Sequence, residues 1–549
     1  MISNDKYISY LNSAENLVKQ YNFNDIENRI ETTKDEVQKF KVKILFVGGF
    51  NAGKSALINT ILEDDVLIEE QCPETTIATE IIYGSPSRIV LCDKDGNKSN
   101  VPIESIGNND ATKYFNYTYY LENENLLKLN DCIIVDMPGF DSGIEAHNKA
   151  LFQYLDEATA YIFVVDCEKG ALSQSALNFI KEIKNYKNDM AFIINKEDKK
   201  STGELMNVKK FIEMQVNSLC NNEPTVITAS KFTGDSNDKV IELINSFDGQ
   251  SLFERKFKND ISDILNDIEF ALNSMIKTST IDHSQFDIEI EKKEKAKIAL
   301  KDKVTIERRK LKSNLQNVVK QQLIDDIRNA LQMNVSLLTS AAISGNDVFS
   351  RAVNDVLRPI LIAKTNEYVE NSFSEFVGNI NIENNLGDIN VEELQDVLSN
   401  LSKKMSDAPS KIKGANGAFK SITTVLAVTT SFVAPWLELI IIFLPEILRM
   451  FGVMNENSKR DVLKNKIQNE VIPNIIYKIG PSIDESLKII EEEISRETEM
   501  QIEKLIDIET NALDEIMKRK NDKMEEFNTF ISGVEQQLKS IEMLKMEIQ

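Results

Sequence analysis

One run constrains this chain more than any other: Lys43-Ile44-Leu45-Phe46-Val47-Gly48-Gly49-Phe50-Asn51-Ala52-Gly53-Lys54-Ser55. An apolar strand leads directly into G-x-x-x-x-G-K-S, and Ala56, Leu57, Ile58, Ile61 and Leu62 then repeat at helical spacing. Gly48 and Gly53 allow a tight turn whose N–H groups point inward, an arrangement suited to phosphate oxygens. Lys54 would place an ammonium on the β- and γ-phosphates, and Ser55 would give its hydroxyl to Mg²⁺. The helix that follows adds the positive end of its dipole. Such a strand–turn–helix requires a parallel sheet around it, and short β-branched runs between residues 41 and 250 supply one. The expected strands are Val42–Val47, Glu80–Tyr83, Ile89–Cys92, Asp131–Val135, Ala160–Val165, Met190–Ile194 and Thr225–Ile227.

Ligands of such sheets bind at the carboxyl ends of the strands, and three further motifs fall there. Asp136-Met137-Pro138-Gly139 closes one strand. Asp136 would hold Mg²⁺ through its water shell, and the Gly139 N–H would meet a γ-phosphate and move when it leaves. Asn195-Lys196-Glu197-Asp198 closes another. A carboxylate at Asp198 accepts two hydrogen bonds from guanine N1–H and N2–H₂, donors that adenine lacks. Lys196 can lay its stem along the base. In Thr228-Ala229-Ser230-Lys231, backbone N–H groups could meet guanine O6. A GTPase also needs a threonine that closes over Mg²⁺ and the γ-phosphate; Thr76 fits, with Thr75 the alternative. The nucleotide set is thus Gly48, Phe50, Asn51, Ala52, Gly53, Lys54, Ser55, Ala56, Asp136, Gly139, Asn195, Lys196, Asp198, Ser230 and Lys231. Lys54, Ser55 and Thr76 would act in catalysis, and Ser55, Thr76 and Asp136 would serve the metal.

With these motifs in order, the chain resembles a bacterial dynamin-like protein, a large GTPase of the dynamin superfamily. The residues that carry the resemblance are the P-loop, Pro73-Glu74-Thr75-Thr76, Asp136-Met137-Pro138-Gly139 and Asn195-Lys196-Glu197-Asp198. The long insertion between Thr76 and Asp136 suits that family. The resemblance implies GTP and GDP as ligands, Mg²⁺ as cofactor, a monovalent cation as a further candidate, and self-association through G domains. It also implies a second dynamin-like chain as a candidate partner, and a location in the bacterial cytoplasm against the inner face of the membrane. Eukaryotic relatives carry glutamine and serine where this chain has Phe50 and Asn51. Neither Phe50 nor Phe140 can orient an attacking water, so slow turnover in a lone monomer is expected.

Composition supports a non-nucleic-acid role. Acidic residues number 87 against 64 basic ones, a net charge of −23, whereas a phosphate-backbone binder needs a broad basic face. The five cysteines lack a C-x-x-C pair and the histidines number two, a pattern of reduced thiols without a zinc cluster. The N-terminus lacks a charged-then-apolar leader pattern.

Outside residues 41–250 the pattern is helical. Ile8, Leu11, Ala14, Val18 and Tyr21, continued by Ile26 and Ile30, form a narrow stripe that needs a partner helix. Phe527, Ile531, Val534, Leu538, Ile541 and Ile548 keep a near-heptad register and offer that partner; an intermolecular coiled coil is the other reading. Charge-rich Glu289–Lys312 reads as a solvated helix face, and Asn381–Asn400 as a loop. Residues 419–453 are the most apolar segment. Pro435, Glu438, Pro445 and Glu446 break it into pieces short of the roughly 20 residues a bilayer span takes. A hairpin dipping into one leaflet through Val433, Trp436, Leu437, Ile440, Ile441 and Phe443 fits, with lysines at 403, 404, 411, 413 and 420 beside it for anionic headgroups. A buried helix pair and a transmembrane hairpin are the alternatives.

The expected architecture is an α/β P-loop GTPase domain with a mostly parallel sheet, plus an extended all-α neck and stalk bundle with a hydrophobic tip. Its segments are an N-terminal neck helix (1–40), the GTPase domain (41–250), neck and stalk helices (251–418), a membrane hairpin (419–453), and a returning stalk with a C-terminal neck helix (454–549). The expected function is GTP hydrolysis coupled to membrane binding through residues 421–446. The competing reading is a soluble regulatory GTPase whose stalk binds a protein.

Overall fold

A computed structural model describes residues 4–21, 23–49, 51–67, 77–93, 97–103, 114–139, 154, 158–173, 176, 177, 179, 180, 189–220, 223–280, 286–380, 456–519 and 524–548. Phe50, Thr75, Thr76, Phe140, the Asn381–Asn400 stretch and the whole apolar segment 419–453 with its flanking lysines lie outside them.

Among the described residues nine strands form one sheet: β1 (Val42–Gly48), β2 (Ala78–Tyr83), β3 (Arg88–Asp93), β4 (Lys98–Val101), β5 (Tyr114–Leu121), β6 (Cys132–Asp136), β7 (Ala160–Asp166), β8 (Asp189–Asn195) and β9 (Val226–Thr228). Their spatial order is β4-β3-β5-β2-β6-β1-β7-β8-β9. The run β6-β1-β7-β8-β9 is parallel throughout, and β2 pairs parallel with β5 but antiparallel with β6. β3 pairs antiparallel with both β4 and β5. The central strands are apolar on both faces because both are covered. Ile44, Phe46, Ile162 and Ile193 enter one core with Leu57, Ile61, Val240 and Ile244, from helices α3 (Lys54–Leu62) and α6 (Ser236–Asn245). Leu45, Val47, Phe163 and Phe192 enter the opposite core with Val208, Ile212 and Val216 of α5 (Thr202–Asn217). A short α4 (Glu124–Lys128), capped by Asn123, connects β5 to β6.

Two points differ from the sequence expectation. β4 and β5 are additional strands, filling the insertion between Ala78 and Asp136. Residues 5–39 form two helices instead of one, α1 (Asp5–Gln20) and α2 (Asn24–Lys39). They run antiparallel: Asn4 Nδ2 donates to Val37 O at 3.3 Å and Lys34 pairs with Glu15. Tyr21 and Phe23 at the break are buried, so the stripe turns a corner around them.

α7 (Gly249–Ser279) leaves the sheet and packs Phe253, Phe257, Ile261, Ile264, Leu265, Ile268 and Leu272 against α1 and α2. The same core contains Ile508, Ala512, Leu513 and Ile516, and also Val534, Ile541 and Ile548 of α14 (Met524–Ile548). The N-terminal stripe thus packs within the same chain against the C-terminal seam, and Tyr10 donates to Glu547 Oε2 at 3.1 Å across it. A second helical core is built from α8 (Phe286–Ser313), α9 (Lys320–Met333), α10 (Val335–Ser344), α11 (Asn346–Asn379) and α13 (Ile472–Arg519), with Ile467 and Val471 of the segment that joins α12 (Glu456–Lys466) to α13. Inside it α8 buries Leu300, Val304 and Leu311, the apolar face of the charge-rich run Glu289–Lys312. α13 serves both helical cores, Ile475 to Ile506 in one and Ile508 to Ile516 in the other. Where it passes between them, Asp267 of α7 pairs with Arg29 of α2 and, at 2.6 Å, with Lys504 of α13.

Candidate nucleotide site

The P-loop joins β1 to α3, and its geometry explains its glycines. A Cβ at Gly48 would lie 2.5 Å from the carbonyl oxygen of Val164 on neighbouring β7. Gly53 takes φ +86°, and a Cβ there would lie 2.3 Å from Asn195 Nδ2. Asn51 also has a positive φ, 61°. Lys54 opens α3 and is buried, its Nζ 3.4 Å from both Gly48 O and Gly49 O. No acidic side chain occupies the first turn of α3, so the N–H groups there, which lack intrahelical acceptors, face no resident carboxylate from their own helix. Ala52 is buried, while Ser55 and Ala56 are half-buried.

β6 is the parallel neighbour of β1 and delivers Asp136 opposite Phe46. Ser55 Oγ donates to Asp136 Oδ2 at 2.5 Å. Burial pushes the Asp136 carboxyl above its usual range, with Lys54 and the Ser55 hydrogen bond opposing. Asp136 Oδ1 is shut off from solvent and has no partner among the described residues. A buried carboxylate oxygen without a donor, beside a hydroxyl and under an ammonium, suits a divalent cation with its water shell. These residues therefore fit Mg²⁺. Gly139, three residues on, is buried.

β8 delivers the other half of the site. Asn195 Nδ2 donates to Ala52 O at 2.8 Å and to Gly53 O at 3.3 Å, and Asn195 Oδ1 accepts from Lys196 N at 2.8 Å. Asn195 is thus a brace between the P-loop and its own loop. Lys196 takes φ 62°. Asp198 accepts from the Ser230 hydroxyl, which ties the β8 loop to the β9 loop. Glu197 N donates to Ala229 O at 3.2 Å in the same junction. In the β9 loop the N–H groups of Ala229, Ser230 and Phe232 go to Ile194 O, Ser236 Oγ and Ser230 Oγ. These bonds hold the loop together. Lys231 is exposed, with Nζ 5.4 Å from the centre of the exposed Phe232 ring.

The structure brings Gly48, Asn51, Ala52, Gly53, Lys54, Ser55, Ala56, Asp136, Gly139, Asn195, Lys196, Asp198, Ser230 and Lys231 to one edge of the sheet. Sequence reading missed Asp166, the last residue of β7, which lies opposite Asn195 in the strand register. Its Oδ2 is 2.6 Å from Lys196 Nζ. The available signal was its place: a carboxylate ending an apolar strand between two motif strands.

Residues 44–197 match the family model described as the dynamin family. A protein of Caldicellulosiruptor sp. (strain Rt8B.4), described as an uncharacterized protein in the xynA 3′ region, is 22% identical over 219 residues, 38% of this chain and 53% of that protein. Dynamin-like protein A of Bacillus subtilis is 26% identical over 200 residues, 34% of this chain and 16% of that protein. The matches thus span about half or less of the curated relatives. A solved structure described as an oligomerised bacterial dynamin pair superposes with a TM-score of 0.32 at 14% identity, covering 95% of this chain and 91% of that one. The strand-end motifs and the family match lie on the same segment, and the chain carries a GTPase domain of the dynamin family.

Proposed function

We propose that this chain binds GTP with Mg²⁺ at the carboxyl edge of the sheet, hydrolyses it to GDP and phosphate, and couples turnover to membrane association. The observation that carries the nucleotide part is the convergence at one edge of a buried Lys54, the Ser55–Asp136 pair with its orphaned oxygen, and the Asn195–Asp198 loop braced on the P-loop. Phosphoryl transfer needs little covalent chemistry from the protein and depends on positioning and charge neutralisation. Lys54 Nζ lies 3.4 Å from two backbone carbonyls of the P-loop, where its ammonium would neutralise phosphate charge. Ser55 and Asp136, with Thr76, would hold Mg²⁺, which supplies charge neutralisation at the phosphates. Gly139 lies three residues past the end of β6, where loss of the γ-phosphate would release its loop. Asp198 would read the guanine edge, with Ser230 holding the carboxylate in place.

Membrane association rests on the sequence of residues 421–446, with Trp436 and Ile441 in the apolar run. Among the described residues no helix is long and apolar enough to cross a membrane. Self-association through G domains, homotypic or with a second dynamin-like chain, would raise turnover on such a surface.

The test is GTP turnover against protein concentration, with and without anionic liposomes, together with flotation. Lys54→Ala is expected to abolish hydrolysis, and undiminished hydrolysis overturns the site assignment. Flotation that survives Trp436→Asp combined with Ile441→Asp, or a wild type that stays in solution, overturns the membrane reading in favour of a stalk that binds protein.

A further inference from the structure

Lys196 is gripped from a strand that carries none of the recognised motifs. Its backbone is left-handed at φ 62°, a conformation a non-glycine residue keeps only when its surroundings hold it there. Asn195 Oδ1 holds its N–H. The Cys167 thiol donates to its carbonyl oxygen at 2.9 Å. At the far end of the side chain, Asp166 Oδ2 lies 2.6 Å from Nζ. Asp166 is itself fixed, because its Oδ1 accepts from Glu168 N at 2.9 Å and so caps the turn Cys167–Lys169. The Asp166 side chain is 10% exposed and that of Lys196 31%. The anion is nearly buried, and about a third of the cation's side chain is exposed. That stem runs beside the P-loop: a Cβ on Gly53 would lie 4.0 Å from Lys196 Cε. An ammonium neutralised by a nearly buried carboxylate is poorly placed to serve as a phosphate anchor, so the stem is the part of Lys196 that faces a ligand.

We propose that Asp166 is a positioning residue for nucleotide recognition. By holding the Lys196 ammonium it lays the stem as one wall of the base pocket, and Cys167 fixes the backbone that leads to Asp198. This rests on reading the site as a guanine-nucleotide site. Asp166 acts on the base, not on the phosphates. Its loss should therefore weaken GTP and GDP alike, raising KM without a matching fall in kcat.

The experiment measures GDP affinity by titration with a fluorescent guanine nucleotide, and GTP turnover, for wild type, Asp166→Asn, Asp166→Ala, Lys196→Ala and the double variant Asp166→Ala/Lys196→Ala. Asp166→Asn keeps an acceptor for Glu168 N–H and guards against a folding defect in the alanine variant. Each Asp166 variant is expected to lose about tenfold in GDP affinity, the lower end for a lost charge-assisted hydrogen bond. KM for GTP should rise in step while kcat falls less than about twofold. The double variant should bind no more weakly than Lys196→Ala alone. Additive losses, unchanged GDP affinity, or kcat falling with affinity overturn the proposal. Wild type binding ADP as tightly as GDP overturns the guanine reading beneath it, a result distinct from each of these.

Discussion

Removing the Glu80 carboxylate should destabilise the sheet more than removing its whole ion pair. Glu80 on β2 accepts from Lys43 Nζ at 2.7 Å, from Tyr154 OH at 3.3 Å and from Thr118 Oγ1 at 3.1 Å. Asn116 Nδ2 then donates to Tyr154 OH at 2.6 Å, and Lys43 Nζ lies 5.2 Å from the Tyr154 ring centre. The Lys43 and Glu80 side chains are 14% and 11% exposed. Glu80→Ala leaves a nearly buried ammonium without its carboxylate, a change that costs about 3–5 kcal/mol when one partner of a buried pair is deleted. The small residual exposure favours the lower end, so about 3 kcal/mol is expected. Replacing both groups, Lys43→Met with Glu80→Leu, removes the stranded charge and leaves only two hydroxyls short of an acceptor, for about 1–2 kcal/mol. Because the chain has several cores, global melting would not isolate the sheet. Native-state hydrogen exchange of the β1, β2 and β5 amides does. Protection in Glu80→Ala should fall by about two orders of magnitude and recover about 5- to 30-fold in the double variant, since each factor of ten is about 1.4 kcal/mol. A double variant as weak as the single one would show that packing volume, not the unpaired charge, sets the cost, and the reasoning would fail.

Gly53→Ala forces a Cβ into the left-handed region and against Asn195 Nδ2; we expect nucleotide affinity to drop about 100-fold or more, beyond the 1–2 kcal/mol of backbone strain alone, with the far-ultraviolet circular dichroism retained. Burial pushes the Asp260 carboxyl well above its usual range, with Asp263 and Glu36 adding repulsion and Arg29 and Lys256 opposing, and its Oδ2 has no partner among the described residues. The folded chain holds that proton more tightly than the unfolded one, so this group's stabilisation is complete below the unfolded value near 3.8 and is lost as pH rises through the folded value. Asp260→Asn should therefore raise the melting midpoint at neutral pH and flatten its dependence on pH; an unchanged profile refutes this. Ile541→Asp buries a carboxylate in the core shared by α1, α7 and α14, and exchange protection of α1 should fall with that of α14; loss confined to α14 would contradict a shared core.

What the sequence disclosed, and what it hid, follows from where each residue gets its partners. β1, β6, β7 and β8 are apolar on both faces because helices cover both, so a continuous run sufficed to place each within a residue or so of its observed bounds. β5 was invisible to that rule. It turns Tyr119 and Leu121 toward one core, but Asn116 and Thr118 face the buried Lys43–Glu80–Tyr154 network. A half-buried strand with amides and hydroxyls on one face shows no apolar alternation, and the network that makes them welcome comes from residues 36 to 75 positions away in the chain. The break between α1 and α2 was hidden for a related reason: Tyr21 and Phe23 continue the apolar stripe, and only the packing of Tyr21 on Phe530 shows that they form a corner. The nucleotide motifs were legible because each is local, a few residues at one strand end. Asp166 was not, because its significance lies in the β7–β8 register that sets it opposite Asn195 and within reach of Lys196. Its carboxylate reads as an ordinary strand terminus until that neighbour is in place. Motifs therefore located the loops of this site, whereas the side chains that hold those loops in position came from strand pairing.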